Sequence, residues 1–230
     1  MEAVILAGGL GTRLRAVVQD VPKPMAPIAG RPFLEILLAN LSRQGFRRVI
    51  LSVGYMADSI VDYFGTHFGN LELQYAIEEE PLGTGGALSE ALRHCTSDHA
   101  FVFNGDTFLD LEVGAMEGIW QQDRLPVIAL REVPDTSRYG RVELDGRRVV
   151  NFGEKTNAGP GRINAGCYVL PVDILADFKS PAPFSFEADF LRYAIRDTEF
   201  VGFVSNGLFI DIGIPEDFVR AQTMLLPWLS

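Results

Sequence analysis

Three kinds of residue suited to binding phosphate follow one another near the N-terminus. Gly8, Gly9 and Gly11 are followed closely by Arg13, and Lys23 lies between two prolines. Glycines let a ligand phosphate approach backbone N–H groups, and a guanidinium offers a planar set of donors to phosphate oxygens. Flanking prolines hold a cation in place with little loss of entropy. This stretch therefore predicts a site for a phosphorylated ligand.

Two familiar phosphate-binding motifs do not fit this stretch. A P-loop requires Gly-Lys-Ser/Thr, but the chain has Gly11-Thr12-Arg13. A dinucleotide-binding fingerprint requires another glycine or alanine where Leu14 stands. It also requires an acidic residue at the end of the second strand, where the chain has Val53-Gly54. An ordinary strand-to-helix turn with solvated cations remains the plain alternative for the glycines alone.

Two aspartates are candidates for a metal site. Asp106, in "FNGDTFLD", follows the apolar run "AFVF", which is the fourth predicted strand of the chain. Asp211, in "FIDIGIPEDF", precedes a predicted helix that begins with a proline. A divalent ion held by carboxylates neutralises phosphate charge, and Mg²⁺ takes few protein ligands beside phosphate oxygens and water. We therefore predict that Asp106 and Asp211 bind Mg²⁺. Taken singly, each could instead be a turn residue or a helix-start acid.

Composition excludes several classes of protein. The 230 residues carry a formal net charge of −10, and phosphate-backbone binding needs a basic face, so nucleic acid is not an expected partner. An uninterrupted apolar run of membrane-spanning length is absent from the sequence, and the N-terminus has no basic leader. Cys95 and Cys167 lack metal-like spacing, which favours buried free thiols. We therefore expect a cytoplasmic protein that is not associated with a membrane.

The elements that must position these residues alternate in type. Up to about residue 131, short apolar strands alternate with helices, which is typical of a doubly wound, mostly parallel α/β sheet with helices on both faces. Beyond it, "GRVELDGRRVVNFGEK" predicts a hairpin, and the remainder is mixed α+β. Linker-like composition is absent. We therefore predict one domain over 1–230, with an α/β half (1–131) and a smaller mixed half (132–230).

The motifs together resemble the sugar-1-phosphate nucleotidylyltransferases, which join a nucleoside triphosphate to a sugar 1-phosphate and release pyrophosphate. The resemblance rests on "LAGGLGTRL", "PKPM", "PLGTGGA", "NGDT", "INAGCYVL", "FSFE" and "FIDIGIPEDF", in the family's order. It implies a Rossmann-like, GT-A-type fold, in which 1–131 is the nucleotide-binding half of the domain and 132–230 the sugar-phosphate-binding half. It also implies a nucleotide site formed by Leu6, Ala7, Gly8, Gly9, Gly11, Thr12, Arg13, Lys23, Glu80, Pro81, Gly83 and Thr84.

The same resemblance implies a sugar-phosphate site in the second half of the chain. Glu154 would take sugar hydroxyls and Lys155 the phosphate, although adjacent residues of an extended chain point in opposite directions, so a bend is required there. Gly140, in "SRYGRV", would let the backbone approach the sugar, and Asn164, in "INAGCYV", would contact it. An exposed ion pair and a turn asparagine are the plain alternatives.

The identity of the base and of the sugar is less constrained. In "EEEPLGTGGAL" a carboxylate could accept hydrogen bonds from N1–H and the N2 amine of guanine, with Glu80 preferred to Glu79. The resemblance is strongest to guanylyltransferases, which implies GTP as donor and a manno-configured heptose 1-phosphate as acceptor. Mannose 1-phosphate, and UTP, dTTP or CTP, remain alternatives. Many relatives carry a C-terminal left-handed β-helix, and we expect none here.

We predict direct in-line attack of the sugar phosphate on the α-phosphorus of the nucleotide. Arg13 would hold the leaving pyrophosphate, Lys23 would stabilise the α-phosphate, and Lys155 would draw in the sugar phosphate. A catalytically silent nucleotide-sugar-binding subunit would be expected to lack one of these residues. A GT-A glycosyltransferase would carry an Asp-x-Asp motif, which "NGDTF" does not supply. The oligomeric state is left open, with a homo-oligomer among the options.

Overall fold

A computed structural model describes residues 1–9, 14, 18, 21–153, 159–179 and 183–229. Within these ranges the chain forms fourteen strands and six α-helices. The strands are β1 (Glu2–Leu6), β2 (Pro27–Ile28), β3 (Arg31–Pro32), β4 (Arg48–Val53), β5 (His67–Phe68), β6 (Leu71–Ile77), β7 (His99–Asn104), β8 (Thr107–Leu109), β9 (Val127–Val133), β10 (Val142–Asp145), β11 (Arg148–Phe152), β12 (Gly161–Pro171), β13 (Val201–Ser205) and β14 (Phe209–Asp211). The helices are α1 (Phe33–Arg43), α2 (Ala57–Phe64), α3 (Gly83–Leu92), α4 (Val113–Asp123), α5 (Arg192–Asp197) and α6 (Pro215–Met224).

Ten strands form one sheet in the order β10-β11-β13-β9-β12-β7-β1-β4-β6-β5. The first half supplies the parallel centre, in which β1 pairs with β4 and β7, and β4 pairs with β6. The long strand β12 lies antiparallel between β7 and β9, and a hairpin of β10 and β11 completes that side. The predicted parallel α/β half and mixed second part are therefore both present.

Alternation along the central strands divides the core into two layers. Ala3 and Ile5 of β1 face a layer covered by α1, α2, α4 and α6, while Val4 faces a second layer covered by α3 and α5. Successive side chains of a strand point to opposite faces, so each central strand is buried on both sides. The predicted helices on both faces are confirmed. Within the described ranges there is no left-handed β-helix.

The helix that follows Ser185 has an unusual start. Residues Phe186–Leu191 form a π-helical turn, and the α-helical geometry of α5 begins only at Arg192. Ser185 caps the turn, since its Oγ accepts from the Ala188 N–H at 3.1 Å. Turns of π-helix are rare, and they occur often at functional sites.

Both cysteines of the chain are thiols with a raised pKa. Cys95 and Cys167 are free, and burial raises the pKa of the Cys95 thiol to about 12. Burial raises the pKa of Cys167 as well. No helix among the described residues combines the length and apolar character needed to cross a membrane.

Candidate active site

A cavity of about 480 Å³ opens at the carboxyl ends of the parallel strands. Ligands of open α/β sheets bind at this edge. Its walls come from the ends of β1, β4, β6 and β7, from the turn at Lys23 and from the start of α3. They contain Leu6, Ala7, Gly8, Gly9, Lys23, Pro24, Ser52, Gly54, Tyr55, Glu78, Glu79, Glu80, Pro81, Gly83, Thr84, Ala87, Asn104, Gly105 and Asp106.

The glycine turn after β1 is packed too closely for a side chain at Gly8. A Cβ built there would collide with the Glu78 carboxylate and would lie 3.3 Å from the Gly54 backbone nitrogen. The backbone of the turn therefore forms the cavity wall itself, as backbone binding of phosphate requires. Gly11, Thr12 and Arg13, which the sequence predicts for the same site, lie outside the described residues.

Lys23 is held at the cavity by a rigid turn and an ion pair. It begins a 3₁₀ turn, Lys23–Met25, in which the following Pro24 is buried. Its ammonium group pairs with the Asp106 carboxylate, and its side chain is only 11% exposed. A lysine in this position is a fixed positive charge beside the glycine turn.

The two predicted metal ligands lie side by side on paired strands. In the antiparallel pairing of β8 and β14, Asp211 is opposite Thr107, the residue after Asp106. The Ile212 N–H donates to the Asp106 carbonyl at 2.9 Å. A Cβ built on Gly213 would lie 2.7 Å from Asp211 Oδ1 and 3.2 Å from Lys23 Nζ. Lys23, Asp106 and Asp211 therefore form one charged cluster.

The charge balance of this cluster favours a further cation. Burial and the neighbouring Asp106 charge raise the pKa of Asp211, while Lys23 lowers it in part. The described residues contain no group of three or more His, Cys, Asp or Glu placed to hold a metal. Two carboxylates nevertheless suit Mg²⁺, which completes its shell with water and phosphate oxygens. The residues present therefore fit a phosphate-bound divalent ion better than a fully protein-ligated one.

The acidic loop after β6 contributes three carboxylates of different kinds. Glu78 is half-buried, and its Oε2 accepts from the Leu82 N–H at 3.0 Å. Its Oε1 is 3.5 Å from Ser52 Oγ. Glu79 and Glu80 are exposed at the rim. Glu78 thus braces the loop, whereas Glu80 and Glu79 are the carboxylates of this loop that are exposed to an incoming ligand.

Several lining residues were missed by motif analysis. Ser52, Gly54 and Tyr55 stand at the end of β4, and Asn104 ends β7 beside Asp106. Their common signal is position, since each follows or ends a strand of the parallel centre. A strand-end rule applied to every parallel strand would have found them.

Two of the four predicted sugar-binding residues, Gly140 and Asn164, lie in the described part of the chain. Gly140 has a left-handed φ of +81°, and its N–H donates to the Thr136 carbonyl at 3.1 Å. Asn164 Nδ2 donates to the Tyr168 hydroxyl at 2.7 Å, and its Oδ1 accepts from the Gly166 N–H at 3.0 Å. Neither residue lines the cavity. Glu154 and Lys155 lie outside the described residues.

The loop that carries Gly140 is fastened beside the charged cluster. Arg138 Nη1 donates to Asp217 Oδ2 at 2.7 Å, and Asp217 is buried at the start of α6. Arg220 Nη1 donates to the other oxygen of Asp217, also at 2.7 Å. The loop that carries Gly140 is therefore anchored to α6, the helix that follows the strand bearing Asp211.

Comparison with known proteins decides the family. A family model described as nucleotidyl transferase matches residues 2–226. The chain belongs to the nucleotidyl transferase family. The prediction of a nucleotidyltransferase is therefore confirmed, and enzymes of this family generally use a divalent metal ion.

Two curated nucleotidyltransferases illustrate the range of relatives. The chain is 42% identical over 226 residues to a D-glycero-alpha-D-manno-heptose 1-phosphate guanylyltransferase of Aneurinibacillus thermoaerophilus, covering 98% of each chain. It is 36% identical over 232 residues to a mannose-1-phosphate guanylyltransferase of Mycobacterium tuberculosis, covering 98% of this chain and 65% of that relative.

A solved nucleotidyltransferase has nearly the same fold. The crystal structure of HddC from Yersinia pseudotuberculosis complexed with GMP-PN matches with a TM-score of 0.87 and 42% identity. The match covers 97% of this chain and 99% of that one. The GT-A-like, Rossmann-type fold is therefore confirmed. The individual site residues remain predictions.

Proposed function

We propose that this nucleotidyltransferase transfers GMP from GTP to D-glycero-α-D-manno-heptose 1-phosphate, giving GDP-heptose and pyrophosphate. The observation that carries the proposal is the cluster of Lys23, Asp106 and Asp211 beside the glycine turn. It stands in a chain that is similar over its full length to heptose 1-phosphate guanylyltransferases. The supply of precursors for cell-surface glycans is the proposed purpose.

The nucleotide would occupy the cavity between the glycine turn and α3. Leu6, Ala7, Gly8 and Gly9 would present backbone to the phosphates. Pro81, Gly83 and Thr84 line the opposite part of the cavity and would enclose the nucleoside. Glu80, or Glu79 in its place, would accept from N1–H and the N2 amine of guanine. Other common bases do not present that pair of donors.

The phosphate chemistry needs charge and position more than proton transfer. The sugar phosphate is already anionic at neutral pH, so its oxygen can attack the α-phosphorus in line with the leaving pyrophosphate. Lys23 is poised to stabilise the negative charge on the α-phosphate. From their motifs, Arg13 would hold the pyrophosphate and Lys155 the incoming sugar phosphate. Asp106 and Asp211 would hold Mg²⁺, which neutralises phosphate charge when bound.

The sugar would lie on the side of the second half of the chain. Gly140, on its anchored loop, would approach the sugar with its backbone, and Asn164 would donate or accept at a hydroxyl. Glu154 would add a carboxylate to the same sugar. We propose the cytoplasm as the setting, since both cysteines are free thiols.

Two alternatives keep the same mechanism with different substrates. The similarity to a mannose-1-phosphate guanylyltransferase favours mannose 1-phosphate as a second candidate. UTP, dTTP or CTP would replace GTP if the acidic loop does not read guanine. A silent binding subunit is disfavoured, because Arg13, Lys23, Asp106 and Asp211 are all present.

The test is pyrophosphate release in the presence of Mg²⁺. Each of GTP, UTP, dTTP and CTP is combined with heptose, mannose and glucose 1-phosphates. The proposal expects release with GTP and the heptose 1-phosphate, at a kcat/KM at least about tenfold above any other pair. Preference for another pair would replace the substrates and keep the mechanism. Tight binding of GDP-sugar without any turnover would support a binding subunit instead.

A further inference from the structure

Glu187 links the cavity residue Thr84 to Tyr168, whose hydroxyl contacts the predicted sugar residue Asn164. It lies in the π-helical turn Phe186–Leu191, and its side chain is half-buried. Its Oε2 accepts from Thr84 Oγ1 at 3.2 Å, and Thr84 lines the cavity. Its Oε1 accepts from the Tyr168 hydroxyl at 3.2 Å. The carboxylate therefore bridges the start of α3 and β12.

Among the described residues, the donors around Glu187 are neutral hydroxyls. Besides Thr84 and Tyr168, Ser185 Oγ is 3.4 Å from Oε2. None of the ion pairs formed within the described part of the chain includes Glu187. A carboxylate accepts about four hydrogen bonds. Within the described ranges Oε1 has one partner, the Tyr168 hydroxyl, which leaves it acceptor capacity for a further donor.

The network continues from Glu187 to the predicted sugar residue. Tyr168 is fully buried, and its hydroxyl receives the Asn164 amide at 2.7 Å while donating to Glu187. Burial and the charge of Glu187 raise the pKa of Tyr168, so it remains a donor. A Cβ built on Gly166 would lie 2.6 Å from Asn104 Nδ2, which places this network next to the cavity wall.

A purely structural role does not require a charged residue here. Thr84 already ties the turn to α3, since its Oγ1 accepts from the Phe186 N–H at 2.9 Å. A half-buried carboxylate without a cation is costly unless hydrogen bonds satisfy it. A sugar offers several hydroxyl donors in one rigid ring, which match the spare acceptor capacity of Oε1. These features favour a ligand contact for Glu187 over a purely structural contact between the turn and α3.

We propose that Glu187 is a specificity-determining residue whose carboxylate accepts hydrogen bonds from hydroxyls of the sugar 1-phosphate. Thr84, Tyr168 and Ser185 hold it for this purpose, and Asn164 contacts the same sugar through the shared network. This inference rests on the proposed function, because it assigns a residue to the acceptor side of that reaction. It predicts that GTP binding depends little on the charge of Glu187, since an amide oxygen at this position can still accept from Thr84 Oγ1.

The experiment compares wild type with Glu187→Gln in steady-state kinetics. GTP and the sugar 1-phosphate are varied separately. Because a hydrogen bond to a charged group is lost, the KM for the sugar 1-phosphate should rise by roughly tenfold or more, with the KM for GTP within about twofold. Sugar 1-phosphates lacking one hydroxyl then identify the contact. With wild type, the analogue that lacks the contacting hydroxyl should have a higher KM than the complete sugar 1-phosphate. This difference in KM should largely disappear in the variant.

The matched control is Asp189→Asn on the same turn. Asp189 Oδ2 accepts from the Ser185 N–H at 2.7 Å, and the residue is exposed. This variant should lower the thermal midpoint while the KM for the sugar stays within about twofold. Equal KM changes in the two variants would indicate a structural role and overturn the assignment. Failure of every deoxy analogue to couple with Glu187→Gln would also overturn it.

The two proposals fail in different ways. If wild type turns over no sugar 1-phosphate, the proposed function is contradicted, and this inference is contradicted with it. Wild type that is active, with a Glu187→Gln variant of unchanged KM for its sugar, removes the inference alone. If Glu187→Gln raises the KM for GTP and leaves the KM for the sugar 1-phosphate unchanged, Glu187 acts in nucleotide binding. That result would also contradict the inference.

Discussion

The two ends of the parallel strands carry similar charged residues and use them differently. At the amino ends, the Glu2 carboxylate accepts from Arg48 Nη1 at 2.7 Å and from the N–H groups of Thr96 and Ser97 at 2.8 and 2.7 Å. At the carboxyl ends, Lys23, Asp106 and Asp211 border an open cavity. Glu2 is 7% exposed, whereas the Asp106 side chain is 36% exposed.

The difference lies in how much of each charge the fold itself satisfies. Burial by itself raises the pKa of Glu2, but hydrogen bonds from Arg48, Ser97 and Thr96 outweigh it and lower the pKa to about 2. Such a saturated carboxylate stabilises the fold and has little left for a ligand. The carboxylates at the cavity retain acceptor positions. Mutations at the two ends should therefore separate into effects on stability and effects on activity.

The largest expected effect is the loss of Lys23. Lys23→Ala removes the fixed charge proposed to stabilise the α-phosphate, so kcat should fall by roughly 10³-fold. The variant should still fold, because the Asp106 side chain that loses its ion pair is 36% exposed and can be hydrated. Pyrophosphate release and a melting curve measured on the same sample check both points. A normal kcat would remove Lys23 from the chemistry and weaken the contrast between the two ends.

At the opposite end, Arg48→Met should affect stability alone. It leaves Glu2 buried without its charged partner, which costs about 3–5 kcal/mol. Denaturant unfolding measures that loss. At a temperature where the variant is folded, its kcat and both KM values should match wild type. Strongly altered kinetics in the folded variant would show that the amino ends also influence the site.

The Glu2 cluster should also set the acid limit of stability. The folded-state pKa of Glu2 is about 2, below its ordinary 4.5. Its contribution is therefore fully present above pH 4.5 and is lost as the pH falls toward about 2, in total on the order of 3 kcal/mol. Free energies of unfolding at several pH values should fall less steeply for Glu2→Gln than for wild type. Parallel curves would contradict the assignment.

The smallest of these effects concerns the proposed metal ligands. Asp211→Asn removes one of two carboxylates, so about 10–100-fold more Mg²⁺ should be needed for half-maximal activity. A titration of activity against Mg²⁺ measures this, and excess chelator should abolish activity in wild type. Asp173→Asn, which alters an aspartate in the turn after β12, serves as the control and should need no more Mg²⁺ than wild type. An unchanged requirement in Asp211→Asn would place the ion elsewhere.

The predicted architecture rested on features that are local in the chain. Strands such as β1, β4 and β7 are short apolar runs, and the Asp-Gly pair between β10 and β11 specifies its own turn. Glycine and proline constrain their own backbone, so the turn at Gly8 and the rigid segment at Lys23 could also be predicted from the sequence. The π-helical turn could not be predicted, since nothing in its apolar pattern distinguishes it from an α-helix.

Most of the described residues that line the cavity stand in the sequence motifs, because parallel strands end at one edge of a sheet. The sequence alone thus determined the fold class, the family resemblance and the charged residues at that edge. Only the tertiary structure decided which distant residues meet. Lys23 and Asp106 are 83 positions apart, and Thr84 and Glu187 are 103 apart. Local sequence patterns do not specify the order of the strands, because that order is determined when the whole sheet packs between its two layers of helices.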